Sequence, residues 1–179
     1  IAFDAIGFSD TSIVENIQVV PGYPIVEAVT PSSGVLGWMD NQFQFDFSLV
    51  LDASTVTADN ITISSNHSSS LTPSISYIDS SSSISILYDQ GLATMDSITV
   101  TLSDQITSIY GYSLDGDQDG QGGGGYTVSY TTQMLADFDN NGAITVEDLS
   151  QFVIGLDNDD PAYELGPFTG EIPHVFVNP

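Results

Sequence analysis

The sequence predicts a mainly β chain: an antiparallel β-sandwich with a small loop–helix unit appended on its C-terminal side. Three observations carry that prediction. Short runs rich in β-branched and aromatic residues recur through most of the chain, with turn residues between them. Within those runs apolar and polar residues alternate, as in Phe43, Phe45 and Phe47 against Gln42, Gln44 and Asp46, which places the three rings on one face. After Thr132 the apolar spacing changes to i, i+3, i+4, i+7 at Leu149, Phe152, Val153 and Leu156, the period of a helix.

In chain order, residues 1–22 read as two extended pieces, Ile1–Phe8 and Glu15–Val20, closed by Pro21–Gly22. They form either a first hairpin or the tail of a preceding domain. Residues 23–132 hold the sandwich. Strands are expected near Ile25–Val29, Gln42–Phe47, Asn60–Ser64, Ser74–Ile78, Ser83–Tyr88, Ser97–Leu102 and Tyr126–Thr131. Ile84 and Ile86, then Ile98, Val100 and Leu102, then Tyr126, Val128 and Tyr130 repeat the alternation of a half-buried sheet. Ser-rich stretches at 64–70 and 80–83 fall where hairpin loops belong. In the third segment, residues 133–179, the helix should begin near Val146, where Thr145 and Asp148 make a capping box. It should end around Gly155–Leu156, leaving a Pro- and Gly-rich tail that reads as irregular. Both ends of the sequence read as cuts through a longer polypeptide.

Composition narrows the function. Lys and Arg are absent, against 24 Asp plus Glu in 179 residues, for a formal net charge of −24. Ordinary usage would supply about 20 basic residues in a chain of this size. Without them the chain has no side chains to neutralise phosphates, so nucleic acid and anionic membranes are excluded as partners of its own charges. No apolar run approaches the roughly 18–20 residues of a spanning helix, so no membrane insertion is expected. Cys is absent too, which removes disulfides, thiolate catalysis and Cys-based zinc sites. His67 sits in a Ser-rich loop and His174 in the tail, neither beside a nucleophile and base, and they read as surface residues. No pair of carboxylates can be singled out for acid–base chemistry. The expectation is a protein that is not an enzyme.

One constellation carries chemistry. Residues 137–148 read DFDNNGAITVED. Against a twelve-residue calcium loop, Asp137, Asp139 and Asn141 take positions 1, 3 and 5, Gly142 the sharp turn at 6, Ala143 the carbonyl at 7 and Asp148 the closing position 12. Calcium takes six to eight oxygens at about 2.3–2.6 Å, so the chain must curl around it with alternate side chains pointing inward. Two carboxylates about 5 Å apart repel by roughly 3 kcal/mol at an effective dielectric of 20, and no basic residue exists to relieve that. A second stretch, residues 115–125 (DGDQDGQGGGG), puts Asp115, Asp117 and Asp119 at positions 1, 3 and 5 and Gln121 at position 7, with Gly120 at the turn. Position 12 would be Tyr126, so the closing carboxylate is missing and Asp104 or another loop would have to supply an oxygen. The alternative for the first is an acidic surface turn leading into a helix, and for the second a polar, glycine-rich hairpin loop.

The loop and following helix, Leu135 to Leu156, resemble a dockerin repeat, with Asp or Asn at positions 1, 3 and 5, Gly at 6 and Asp at 12. That resemblance implies Ca2+ binding and a protein partner of the cohesin type. Two departures stand out: there is no second loop before Pro179, and positions 10 and 11 are Val146 and Glu147 rather than Ser–Thr. Residues 23–132 are similar to a bacterial Ig-like domain, through Pro31–Gly34 (PSSG) before an aromatic strand and Leu114–Gly120 before a last strand that ends Thr131–Thr132. Together the two resemblances imply a calcium-binding spacer and attachment module of a secreted or cell-surface protein. The rivals are a subunit that pairs with copies of itself in an extracellular filament or surface layer, and a carbohydrate-binding accessory module. Lone Trp38 and the scattered tyrosines make no evident sugar platform.

Overall fold

The computed structural model describes residues 22–37, 40–68, 72–89, 91–163, 165, 168–169 and 175–176. The two N-terminal strands expected from the sequence, Trp38 and His174 lie outside them.

Eight strands form two sheets: β1 (Val26–Thr30), β2 (Gly34–Leu36), β3 (Gln42–Phe47), β4 (Ile61–Ser65), β5 (Ser74–Ile78), β6 (Ser83–Leu87), β7 (Ser97–Leu102) and β8 (Tyr126–Thr132). One sheet runs β1-β3-β6-β5 and is antiparallel throughout. The other runs β2-β8-β7-β4, with β2 parallel to β8. The seven expected strands all form, within a residue or so of their expected bounds. β2 is the addition: three residues are too few to show alternation, and they become a strand because Gly34, Val35 and Leu36 line up against Tyr130, Thr131 and Thr132.

Alternation decides which face of each strand is buried. Phe43, Phe45, Ile84 and Ile86 of the first sheet meet Val100, Leu102, Val128 and Tyr130 of the second in one core. Phe43 packs on Tyr130 with ring centroids 4.9 Å apart, and Phe45 meets Tyr126 edge-on at 6.2 Å. Each ring so buried contributes about 1.5–3 kcal/mol. Tyr130 keeps its polar tip satisfied by donating its hydroxyl proton to the Pro31 carbonyl at 3.0 Å.

A buried carboxylate anchors the Ser-rich loop after β4. Asp96 is 2% exposed. Its Oδ1 accepts the N–H groups of Asn66, His67 and Ser97, while its Oδ2 accepts the Ser68 N–H and hydroxyl. Burial by itself would raise its pKa. The Ser68 hydroxyl and the His67, Ser97 and Asn66 N–H groups outweigh that and hold it below the ordinary 3.8. Nearby Tyr88 is pushed up to about 12, by burial first and by the Asp96 charge second.

Beyond the sandwich, α1 (Val146–Asp157) begins and ends almost where expected. The expected apolar stripe is split. Phe152 stacks on Phe138 at 6.0 Å, Tyr163 tilts onto the same ring at 5.0 Å, and Gly155 is buried against Tyr163. Val146, Leu149, Val153, Ile154 and Leu156 are each more than half exposed. The tail expected to be irregular contains one short antiparallel pair, β9 (Phe168–Thr169) with β10 (Val175–Phe176). Among the described residues no helix is long and apolar enough to cross a membrane.

Candidate metal centre

Asp137, Asp139 and Asp148 come together, each with a carboxylate oxygen within 4.8 Å of the others'. Asp137 and Asp148 are buried and Asp139 is exposed. The loop that gathers them is held by its own backbone. Asn141 and Gly142 donate their N–H groups to the two oxygens of Asp137, at 3.0 and 2.9 Å. Ala143 donates its N–H to Asn141 Oδ1 at 2.9 Å, and Asn141 donates its N–H and Nδ2 to Asp139. Gly142 has φ of +83°, a left-handed turn that glycine makes without a Cβ penalty.

Asp148 does two jobs at once. Its Oδ1 accepts the N–H groups of Phe138 and Asp139, at 2.8 and 3.2 Å, tying the start of the loop to the helix. Its Oδ2 accepts the Thr145 N–H at 2.7 Å and the Thr145 hydroxyl, the return half of the expected capping box. The Thr145 N–H is the largest of the influences that hold its pKa below the ordinary range; desolvation opposes it, and the Asp139, Thr145 hydroxyl and Phe138 bonds add to it. A carboxylate offers about four lone-pair sites. Four donors already address them, so ligation of a cation through both oxygens would have to share or displace these bonds.

The second loop is built the same way. Asp119 and Gly120 donate their N–H groups to the two oxygens of Asp115, at 3.1 and 3.0 Å, and Gln121 donates its N–H to Asp119 Oδ1 at 2.8 Å. These are the same loop positions that bond in the first loop: 5 and 6 to 1, and 7 to 5. The backbone agrees, with left-handed φ at position 4 in both (Gln118 +58°, Asn140 +57°) and at position 6 in both (Gly120 +87°, Gly142 +83°). Asp115, Asp117 and Asp119 hold a carboxylate oxygen each within 4.8 Å of one another, with Asp115 buried. What differs is the closure. No helix follows; the chain folds back so that Gly116 donates its N–H to the carbonyls of Gly123 and Gly124, and β8 begins at Tyr126. Asp104, considered as a source of the missing oxygen, is not in the cluster: its Oδ1 accepts from Ser103 and Gln105. Gln118 donates its Nε2 proton to the Val26 carbonyl at 3.0 Å, fixing this loop to β1.

Each set of residues suits a hard cation. All the side-chain donors are oxygens, the preference of Ca2+ over softer ions. Neither cluster can be neutralised by a Lys or Arg, since the chain has none. The anchoring role of Asp96 is not legible in the sequence, because its donors other than the Ser97 N–H lie about thirty residues away and no local pattern announces them.

A sequence model of a family described as "Bacterial Ig-like domain" matches residues 21–132. No curated protein matches the chain. Among solved structures, domains 1–6 of the surface layer protein SbsC are similar at 18% identity, over 62% of this chain and 14% of that one, with a TM-score of 0.41. The LD transpeptidase LdtMt1 in complex with imipenem is similar at 16% identity, over 64% and 40%, with a TM-score of 0.41. CopC from Methylosinus trichosporium OB3b is similar at 11% identity, over 62% and 93%, with a TM-score of 0.42. This chain spans less than a quarter of the length of the surface-layer structures it matches.

Proposed function

The chain belongs, through residues 21–132, to the bacterial Ig-like domain family, and from that premise we propose that it is a non-catalytic, calcium-binding module of a secreted or cell-surface protein. The observation that carries the proposal is a pair of similar loops in a chain without a basic side chain: each gathers three carboxylates, bonds positions 5 and 6 to position 1 and position 7 to position 5, and turns left-handed at positions 4 and 6. Clustered anions need a counter-charge, and a divalent cation is the one the ligand chemistry favours. In this reading Asp137, Asp139, Asn141 and Asp148 hold the ion with the Ala143 carbonyl, and Asp115, Asp117, Asp119 and the Gln121 carbonyl hold a second one. The sandwich acts as a spacer. The loop and α1 act as a dockerin-like unit, whose exposed Val146, Leu149, Val153 and Leu156 would be covered by a cohesin-like protein partner.

The test is calcium titration by calorimetry together with thermal melting. Extracellular calcium modules bind at about 10⁻⁴–10⁻³ M. A site at 100-fold saturation adds about 2.7 kcal/mol, which raises the melting temperature of a chain this size by roughly 5–10 °C. Asp137→Ala or Asp139→Ala should abolish the share due to the first loop, and Asp115→Ala that of the second. That excess corresponds to about 10–100 mM calcium, and a wild-type melting curve left unchanged across that range would sink the proposal.

A further inference from the structure

We propose that β5 (Ser74–Ile78) is a self-association edge, pairing antiparallel with β5 of a second copy of this chain around a two-fold axis at Ser76. The proposal is independent of the calcium reading. A sheet edge presents unpaired N–H and C=O groups, and natural proteins blunt such edges with charge, proline, bulges or brevity. Among the described residues this sandwich has four edges, β1 and β5 in one sheet and β2 and β4 in the other. β1 carries Glu27, an irregular register between Val26 and Ala28, and Pro31 just beyond it. β2 has only three residues. β5 has five, reads SISYI, and carries none of those devices within the strand; Pro73 and Asp79 stand just outside it.

Charge selects the occupant. A second copy brings another −24, so two copies can meet only where their own acids are absent. β5 and its neighbour β6 (SISIL) together hold no ionisable acid or base other than the Tyr77 phenol, in a chain otherwise dense with Asp and Glu. β4 (ITISS) is also uncharged, but its solvent face carries only the hydroxyl side chains Thr62 and Ser64 beside Thr101 and Thr99 of β7, with no exposed apolar side chain like Ile78 or Leu87 for a second copy to cover.

Register follows from the side-chain period. A slip by one residue would turn Ile75 and Tyr77, which pack against the core, toward the outer face. Of the registers with correct parity, the one centred on Ser76 pairs Ile75 with Tyr77 of the other copy, and Ser74 with Ile78. It leaves Pro73 and Asp79 opposite each other, just outside the paired strands. Centring on Tyr77 would set Asp79 against Ile75, and centring on Ile75 would set Pro73 against Tyr77. On the outer face Ser74 already neighbours Leu87 of β6. Across the two-fold, the half-exposed Ile78 of one copy and Leu87 of the other flank the small Ser74, so two apolar side chains left at 42% and 41% exposure gain partners. The sheets would join into one of eight strands.

Sedimentation equilibrium of the full chain over a concentration series, in about 0.5 M NaCl to screen the net charge, tests the proposal. The expected result is a reversible monomer–dimer equilibrium that strengthens with NaCl. Ser76→Asp, which sets two like charges directly opposite on the axis, should weaken it at least about tenfold without lowering the melting temperature of the monomer. Thr62→Asp on β4 should leave it unchanged. Hydrogen exchange of the unmutated chain should slow at the amides of residues 74–78 as concentration rises. A monomer at every concentration overturns the proposal. So does association that Ser76→Asp leaves intact, that Thr62→Asp abolishes equally, or that vanishes on chelation of divalent ions alone.

Discussion

Replacing Asp96 by Asn removes one charge and turns one acceptor oxygen into a donor, with almost no change in shape. In the folded chain Asp96 Oδ1 accepts three N–H groups and Oδ2 accepts the Ser68 N–H and hydroxyl. The Asn oxygen can keep the first set, so its NH2 faces the buried Ser68 N–H, donor against donor. The Ser68 hydroxyl oxygen already accepts the Ala93 N–H at 3.0 Å but has a second lone pair, so it can rotate to accept from the new amide. One buried N–H is then unsatisfied, at about 1–3 kcal/mol, and the three surviving bonds lose their charge assistance. The sum is about 3–5 kcal/mol at neutral pH, or roughly 10–20 °C in melting temperature for a domain of about 110 residues. The pH dependence has a definite sign. The folded pKa is depressed below 3.8, so the stabilisation by Asp96 is complete above the unfolded value and is lost as pH falls through the folded one. Thermal melts of wild type and Asp96→Asn should therefore differ most at neutral pH and converge in strong acid. Equal stability at neutral pH, or a gap that acid leaves untouched, would refute the reasoning.

Three further outcomes follow from the same structure. With 24 acids, two His and no Lys or Arg, the chain loses its net charge in acid without acquiring a large positive one, so its self-repulsion fades as the carboxylates protonate. NaCl at neutral pH should accordingly raise the melting temperature, read by circular dichroism, and the salt effect should shrink as pH falls through about 4, where about half the carboxylates are protonated, and vanish only roughly one to two pH units lower; higher stability in low salt than in high salt would contradict it. Gly155→Ala places a Cβ into the Tyr163 ring and should loosen the α1 end, lowering helical ellipticity while leaving the melting of the sandwich unchanged. Tyr130→Phe removes the hydroxyl bond to Pro31 from a ring that stays buried and should cost about 1 kcal/mol in denaturant unfolding; no loss would show that the ring alone matters there.

Legibility in the sequence followed the range of the interaction involved. The alternation of Phe43, Phe45 and Phe47 is written in neighbouring residues, because a strand turns every second side chain to the same face, and those rings lie in the core. The loop from Asp137 was legible for the same reason. Each of its contacts spans ten residues or fewer, so residue type and spacing fix which N–H meets which carboxylate. The likeness of the two acidic loops was visible only in part. Asp115, Asp117 and Asp119 gave the register, whereas the tethering of this loop to β1 joins Gln118 to the Val26 carbonyl, ninety-two residues away.

Local chemistry along the chain therefore determined the strands, the helix and its cap, the two oxygen-rich turns, and a charge that no internal cation can balance. Tertiary structure alone decided that Gly34–Leu36 would become a strand, that α1 would turn Phe152 and Gly155 inward and leave Leu149 and Leu156 exposed, and that Asp96 would be buried. The physical reason is that these outcomes depend on groups brought together only by folding. A three-residue strand takes its order from the β8 edge beside it, and a buried carboxylate is tolerable only where distant N–H groups converge on it.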